Sequence, residues 1–303
     1  MHLIPQNFIQ TTHELYGSVG TEWLSELPTL IADCAECWSL TVAPPFENLS
    51  YTYVAPALGS DNTPVVLKVG FPNPELLCEM DALRLYNGHG MVRLLEADPE
   101  RGIMLLERLE PGMTLADLND DTAATSIAAQ VMHQLWRPVP ASHSFPTVER
   151  WATGLQRLRA EFDGGCGPFP KVLVEEAESL FTDLRSSMDE PVLLHGDLHH
   201  YNILSAARQP WLAIDPKGVV GEPAYEIGAW LRNPLPLMTW PHPERVLARR
   251  IDQFADELGF DRERIWGWGL AQAVLSAWWY WEDHGYVGET ALACAQLLAT
   301  LKV

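Results

Sequence analysis

The spacing of apolar positions along this chain switches between two periods, and each switch marks a change of element. Residues 20–38 carry Trp23, Leu27, Leu30 and Cys34 at helical spacing, with Pro28 a point where the helix can split. Leu49 to Ala55 then alternates, with Tyr51 and Tyr53 in step, and Val65 to Val69 is rich in β-branched residues; both read as strands. A well-punctuated helix follows. Asn73 can cap it, Pro74 stands in its first turn, Leu76, Met80 and Leu83 share a face, and Asn87-Gly88 ends it. Met91 to Ala97 and Gly102 to Leu106 are two further strands, separated by the turn Asp98-Pro99-Glu100-Arg101.

Past Pro111-Gly112 the period is helical. Residues 119–137, 148–163 and 172–187 are expected to be helices, the last with Leu173, Ala177, Leu180 and Leu184 in register. Eight of the twelve tryptophans follow residue 210, and the last sixty residues again have a helical pattern, so the larger core belongs to the second half. The pattern predicts an α+β chain of two lobes. A small, mostly antiparallel β lobe with one key helix spans 1–109, a hinge lies near 106–112, and a larger helical lobe spans 110–303.

Composition sets limits on this picture. At 303 residues and 47% hydrophobic, the chain can bury a sizeable core. No apolar run approaches the ~20 residues of a membrane span. Met1 to Gln10 lacks the basic and apolar regions of a secretion signal, so a cytoplasmic protein is expected. The five cysteines, Cys34, Cys37, Cys78, Cys166 and Cys294, are odd in number and scattered, which suits reduced thiols. Cys34 and Cys37 form a C-x-x-C without a second pair or a nearby histidine, and read as two buried helix thiols rather than a zinc site. Lys and Arg total 20 against 40 Asp and Glu, a net charge of −20. Nucleic acid and anionic membrane would be repelled, whereas a cationic small molecule would be attracted. Acidic surfaces are common, so charge alone does not choose a partner.

The chemistry concentrates in H-G-D-x-x-x-x-N at 195–202 and in Asp215. Two short apolar strands, Val192 to Leu194 and Trp211 to Ile214, each run into a polar loop that carries these residues. The interval from Asp197 to Asn202 is that of a kinase catalytic loop, where an Asp takes the acceptor hydroxyl's proton and an Asn holds Mg²⁺, with a second Asp completing the metal site. A transferring phosphoryl group spreads negative charge over its oxygens. A hard divalent cation must neutralise that charge, and it prefers an amide carbonyl and a carboxylate. The plain alternative is a polar turn between strands. A sharper rival is a zinc-dependent hydrolase built from His195, Asp197, His199 and His200, although it leaves Asn202, Asp215 and the first lobe without a role. Lys68 interrupts the apolar run 65–69; alone, such a lysine usually faces solvent. Eleven residues later a helix presents Glu79, with Glu75 one turn earlier on the same face, and a strand lysine held by a helix glutamate is how kinases aim an ammonium at nucleotide phosphates.

Taken together, H-G-D-x-x-x-x-N at 195–202, I-D-P-K-G at 214–218 and G-E-P-A-Y-E at 221–226 resemble the aminoglycoside phosphotransferases, nearest their streptomycin and hydroxyurea kinase branch. V-V-L-K-V at 65–69, E-M-D-A-L-R-L at 79–85, V-R-L-L-E-A-D at 92–98 and L-L-E-R-L-E-P-G at 105–112 resemble that branch as well, so the likeness runs from about 44 to 235. The resemblance implies a protein-kinase-like fold with ATP in the cleft between lobes, and an antibiotic-resistance kinase acting on a small, cationic, hydroxylated molecule. Asp197 would be the base, Asn202 and Asp215 the Mg²⁺ ligands, and Lys68 with Glu79 the nucleotide pair. Glu107 and Leu109 would offer backbone groups to adenine. The chain departs from protein kinases in having Gly196 in place of an Arg and Asp215-Pro216-Lys217 in place of D-F-G, which argues against a protein substrate. Pro44 to Tyr51 stands where a Gly-rich phosphate loop would lie, with Ser50 the candidate phosphate contact. On the acceptor side, Glu222 and Glu226 follow the metal loop, and Trp279, Glu282 and Asp283 belong to an acid-and-aromatic cluster suited to guanidinium or ammonium groups. Core tryptophans and solvated acids are the alternative there, and Glu226 could equally tie down the catalytic loop. The sequence leaves the oligomeric state open.

Overall fold

The computed structural model describes residues 4–47 and 49–301. Met1 to Leu3 of the expected leaderless start, and Asn48 within the Pro44 to Tyr51 segment, lie outside the described residues. The chain divides after Gly112 into two compact units.

The first unit is built on a five-stranded antiparallel sheet. Its strands β1 (Thr41–Val42), β2 (Thr52–Leu58), β3 (Pro64–Gly70), β4 (Leu94–Asp98) and β5 (Ile103–Glu107) run in the spatial order β1-β2-β3-β5-β4. Helix α1 (Gln6–Cys37) covers one face. It starts well before the expected residue 20 and bends at Gly17, whose φ of 55° an L side chain rarely adopts, while Pro28 sits inside the helix without splitting it. Phe8, Trp23, Leu27 and Cys34 of α1 meet Tyr53, Ala55, Leu67, Val69 and Ile103 in one buried cluster. Cys34 is buried as expected and burial raises its thiol to about 11, but Cys37, one helical turn on, is exposed. Because strand residues alternate between faces, Lys68 points away from α1 while Leu67 and Val69 point toward it. Helix α2 (Pro74–Tyr86) begins where the Asn73 side chain accepts the Leu76 N–H at 2.9 Å and ends at Asn87 in the left-handed conformation; Leu76, Met80 and Leu83 are all buried.

The second unit begins within β6 (Pro111–Thr114) and continues through helices α3 (Asp121–Leu135), α4 (Val148–Glu161) and α5 (Lys171–Ser186). Strand β7 (Val192–Leu194) then leads to the polar loop, followed by β8 (Ile203–Ala206), β9 (Trp211–Ala213) and β10 (Val219–Gly221). Strand β10 pairs antiparallel with β7, and β9 pairs antiparallel with β8. The chain closes with α6 (Ile227–Leu231), α7 (Pro243–Leu258), α8 (Arg262–His284) and α9 (Glu289–Thr300). Helix α8 is the hub. Capped by Asp261 and ended by left-handed Gly285, it packs against α4, α5, α6, α7 and α9, and its middle from Gly267 to Leu275 is buried on all sides. The β7–β10 pair and the β8–β9 hairpin therefore hold the segments 195–202 and 214–218 between them on a helical base.

Candidate active site

Residues 195–202 are held chiefly by backbone hydrogen bonds. Glu226, wholly buried, accepts the His195 N–H at 2.6 Å through Oε2 and the Gly196 N–H at 2.9 Å through Oε1. Burial pushes its carboxyl up to about 7, against the backbone donors that favour the ionised form. The His195 carbonyl in turn accepts N–H groups from Lys217 at 2.8 Å and Gly218 at 3.1 Å. The His195 ring accepts the Asp197 N–H at Nδ1 (3.2 Å), which leaves its proton on Nε2, donated to the Ile214 carbonyl at 2.7 Å. Burial lowers that imidazole to about 4, so it is neutral. Histidine 195 is therefore a brace between β7 and the end of β9.

Asp197 is the half-buried product of this bracing. Arg232, which follows α6, donates through Nη2 to Asp197 Oδ1 at 2.9 Å and through Nη1 to Gln272 Oε1. His199 Nε2 lies 3.6 Å from Oδ2, too long for a hydrogen bond but close enough to act by charge. Desolvation works to raise the Asp197 carboxyl, but the charges of His199, Arg232 and Lys217 outweigh it and the net direction is downward, toward carboxylate. Asn202 donates its amide Nδ2–H to the Asp197 carbonyl at 3.0 Å, and its own carbonyl accepts the Ile214 N–H at 2.9 Å. The pairing of Ile203 with Ala213 continues this contact, so Asn202 and Asp215 stand at the same end of one hairpin. Asp215 has φ of 57°, a conformation that Asp tolerates better than most residues.

The donors at that end suit a magnesium ion. The Asn202 amide is oriented by its N–H bond, which leaves Oδ1 as an acceptor, and Asp215 supplies a carboxylate; both are hard oxygen ligands. The zinc alternative does not fit. Both His195 ring nitrogens are engaged inside the fold, and His200 is buried, stacked on Trp230 at 3.6 Å between centroids and set against Arg250. Among the described residues no group of three His, Cys, Asp or Glu side chains is placed to hold a metal.

In the first unit, Lys68 Nζ donates to Glu79 Oε1 at 2.6 Å, and both side chains are buried. Glu107 ends β5, donating its N–H to the Arg93 carbonyl at 3.0 Å and accepting the Arg93 N–H at Oε1; Leu109 lies two residues beyond. Ser50 is exposed in a bend before β2.

Glu222, expected to face a cationic acceptor, is instead used inside the second unit, and Glu226 takes the other of its two expected roles, tying down the loop. Glu222 is buried and takes hydrogen bonds from Arg264 and from Trp268 Nε1 at 2.6 Å, and Glu226 holds the loop. Glu282 is gripped at both oxygens by Arg157, at 2.6 and 2.8 Å. Asp283 is exposed, and Trp279 is half-buried on α8. Sequence reasoning passed over Arg232, Gln272 and Trp151. The one signal for Arg232 was a charge closing the apolar run Ile227 to Leu231, which calls for a partner.

A small antiparallel sheet with a buried lysine–glutamate pair, and a helical unit carrying an Asp–Asn–Asp hairpin loop, define a kinase of the protein-kinase-like class. Choline kinase LicA from Streptococcus pneumoniae shares this fold, with a TM-score of 0.62 at 15% identity over 90% of this chain and 99% of that one. The chain belongs to the aminoglycoside/hydroxyurea antibiotic resistance kinases, whose family model matches residues 45–285. Streptomycin 6-kinase of Streptomyces glaucescens is 33% identical over 298 residues, covering 97% of this chain and 96% of the relative. Hydroxyurea phosphotransferase of Kitasatospora aureofaciens is 33% identical over 301 residues, covering 95% and 82%. The protein is thus an enzyme that transfers phosphoryl groups to hydroxyls.

Proposed function

We propose that this kinase moves the γ-phosphoryl group of ATP, with Mg²⁺, to a hydroxyl of streptomycin, or of hydroxyurea as a second acceptor. The observation that carries the reading is the bonded frame around Asp197, which sets the Asn202 amide beside it and bonds Asn202 to Ile214, the residue before Asp215. The names of the relatives support the choice of acceptors. A net charge of −20 favours a cationic acceptor such as streptomycin. No helix among the described residues is long and apolar enough to cross a membrane, and a cytoplasmic site of action suits an ATP-consuming enzyme.

In this mechanism Asp197 accepts the acceptor's O–H proton. Oδ1 is already bonded to Arg232, so Oδ2 is the oxygen with room to take it. The acceptor oxygen forms its bond to the γ-phosphorus as the bond to the β-phosphate oxygen breaks, and ADP leaves. Lys68, fixed by Glu79, holds the nucleotide phosphates, with Ser50 an added phosphate contact and the backbone of Glu107 and Leu109 receiving adenine. Asn202 and Asp215 would hold Mg²⁺, which neutralises phosphate charge when bound. Glu222 and Glu282 serve the fold, with Arg264 and Arg157 as their partners.

The test is Asp197→Asn in a coupled ATP assay with streptomycin, hydroxyurea and kanamycin. Wild-type enzyme should turn over streptomycin far better than kanamycin. The variant should lose ~10²–10⁴ in kcat while binding ATP with unchanged affinity. Full turnover by the variant would remove Asp197 as the base, and intact ATP binding without turnover of either streptomycin or hydroxyurea would remove both acceptors.

A further inference from the structure

The residue before the proposed base has no side chain, and the space is taken. A Cβ built on Gly196 would lie 2.9 Å from Trp151 Cη2 and 2.9 Å from Val219 Cγ1. Trp151 sits in the first turn of α4 and is half-buried. Trp279 of α8, also half-buried, stands against it at 83° with ring centroids 5.2 Å apart. Gly154 lets the two helices approach at this point: a Cβ there would meet Leu275 Cδ1 at 2.6 Å and Trp279 Nε1 at 3.4 Å. Behind Trp151 lies the buried Tyr225, centroids 6.2 Å apart. Two indoles therefore meet nearly at a right angle, Trp151 against the residue before Asp197 and Trp279 against Trp151, and each keeps part of its surface in water.

We infer that Trp151 and Trp279 form a stacking corner that reads a flat, trigonal nitrogen-bearing group of the acceptor, a guanidinium or a urea. The inference rests on the proposed phosphotransfer and narrows it to what the acceptor must carry. Streptomycin bears guanidinium groups and hydroxyurea is a urea. The two differ in size and in charge, but each contains a planar carbon bonded to at least two nitrogens. Such a group is polar around its edge and weakly hydrated on its faces, so it can lie on an indole while its edge stays in water. Three of the acids considered for this acceptor are committed elsewhere, Glu226 to the loop, Glu222 to Arg264 and Glu282 to Arg157, so ring faces rather than those carboxylates are what the corner offers. Recognition through ring faces also explains how one site serves a charged and a neutral acceptor. An acceptor whose nitrogens are all tetrahedral ammonium groups offers no flat face.

The experiment measures steady-state constants for streptomycin and hydroxyurea with Trp151→Leu, Trp279→Leu and Trp151→Phe. Each leucine variant should raise KM for both acceptors about tenfold, with KM for ATP unmoved, and Trp151→Phe should recover most of the loss because a ring face returns. A merely structural tryptophan would lower kcat instead and leave the acceptor KM alone, and that result overturns the corner. So do acceptor KM values equal to wild type, which leave the phosphotransferase reading standing. If wild-type enzyme turns over neither acceptor, the reading fails, and calorimetric titration with streptomycin decides the corner separately. Tighter binding to wild type than to Trp151→Leu supports it; equal affinity, or no binding to either, overturns it. Should Trp151→Leu not fold, Trp279→Leu and Trp151→Phe carry the same comparisons.

Discussion

Arg232 gives Asp197 its acid tolerance. Its guanidinium, 2.9 Å from Oδ1, is one of three charges that hold the carboxyl down against desolvation. A base works only when deprotonated, so activity falls as pH drops through its pKa. Arg232→Gln removes one of the lowering charges, and the pKa must rise. The acid limb of kcat/KM should therefore move to higher pH, checked by a pH–rate profile carried from pH 7 down below the ordinary carboxylate range. An unmoved limb would mean that another group titrates there. The contact between Lys68 and Glu79, and the gathering of Asn202 beside Asp197, were legible because each follows from residue types at short fixed spacing. Arg232, Gln272 and Trp151 were not. Arg232 meets Asp197 from 35 residues away and Gln272 meets Arg232 from 40, through packing that no local pattern records. Glu282 of the acid-and-aromatic cluster misled for the complementary reason: a carboxylate in sequence carries no mark of the arginine that will claim it, as Arg157 claims Glu282.

Among the elements, α3 and α7 are joined by a charge cluster rather than by apolar packing alone. Asp121, in the first turn of α3, pairs with Arg249 and with Arg250 of α7, and Arg250 is fully buried. Arg250 also donates to the Trp230 carbonyl at 3.0 Å and to His200 Nε2 at 3.2 Å, so the cluster reaches the loop that carries Asn202. Asp121→Ala leaves a buried guanidinium without its carboxylate and should destabilise the protein by about 3–5 kcal/mol, read from the urea midpoint of tryptophan fluorescence. Replacing both partners, Asp121→Leu with Arg250→Met, should lose less than the single change. A double variant weaker than Asp121→Ala would show that Arg250 is needed for its carbonyl contacts more than for its charge. Helix and strand types were legible for β2, β3, α2, β4 and β5 of the first unit, because periods of two and 3.6 differ plainly there, but the two-residue β1 is too short to carry a period. The start of α1 was not, since Gly17 interrupts the apolar spacing and only tertiary burial of Phe8 carries the helix across it.

For the whole molecule, buried histidines set the response to acid. His195 and His200 are each lowered to about 4 by burial, so between that value and the ordinary 6.5 the unfolded chain binds more protons than the folded one. Stability is then full above pH 6.5 and is lost as pH falls toward 4, by up to about 3 kcal/mol for each histidine. Asp121, held well below the usual carboxylate range against desolvation by His200, Arg250 and Arg249, adds a loss in the same direction at lower pH. Glu226 works oppositely: raised to about 7, it favours the folded state as pH falls from 7 to 4.5. Two histidines outweigh one glutamate, so urea midpoints measured between pH 7 and 4 should decline. A midpoint that climbs toward pH 5 would place Glu226 in command.

The filled space beside Gly196 has a consequence for the history open to this enzyme. A residue there must take φ of 85° and displace the Trp151 ring at once, so any substitution at 196 made first passes through a damaged form. Trp151 can shrink alone. Routes by which the loop gains a side chain before its base must therefore change Trp151 on α4 and Val219 on β10 as well, at the cost of the acceptor wall, and must still bear the strained backbone at 196. Selection that keeps the present acceptor closes that route, which makes the bare glycine a locked position rather than a freely revisable one.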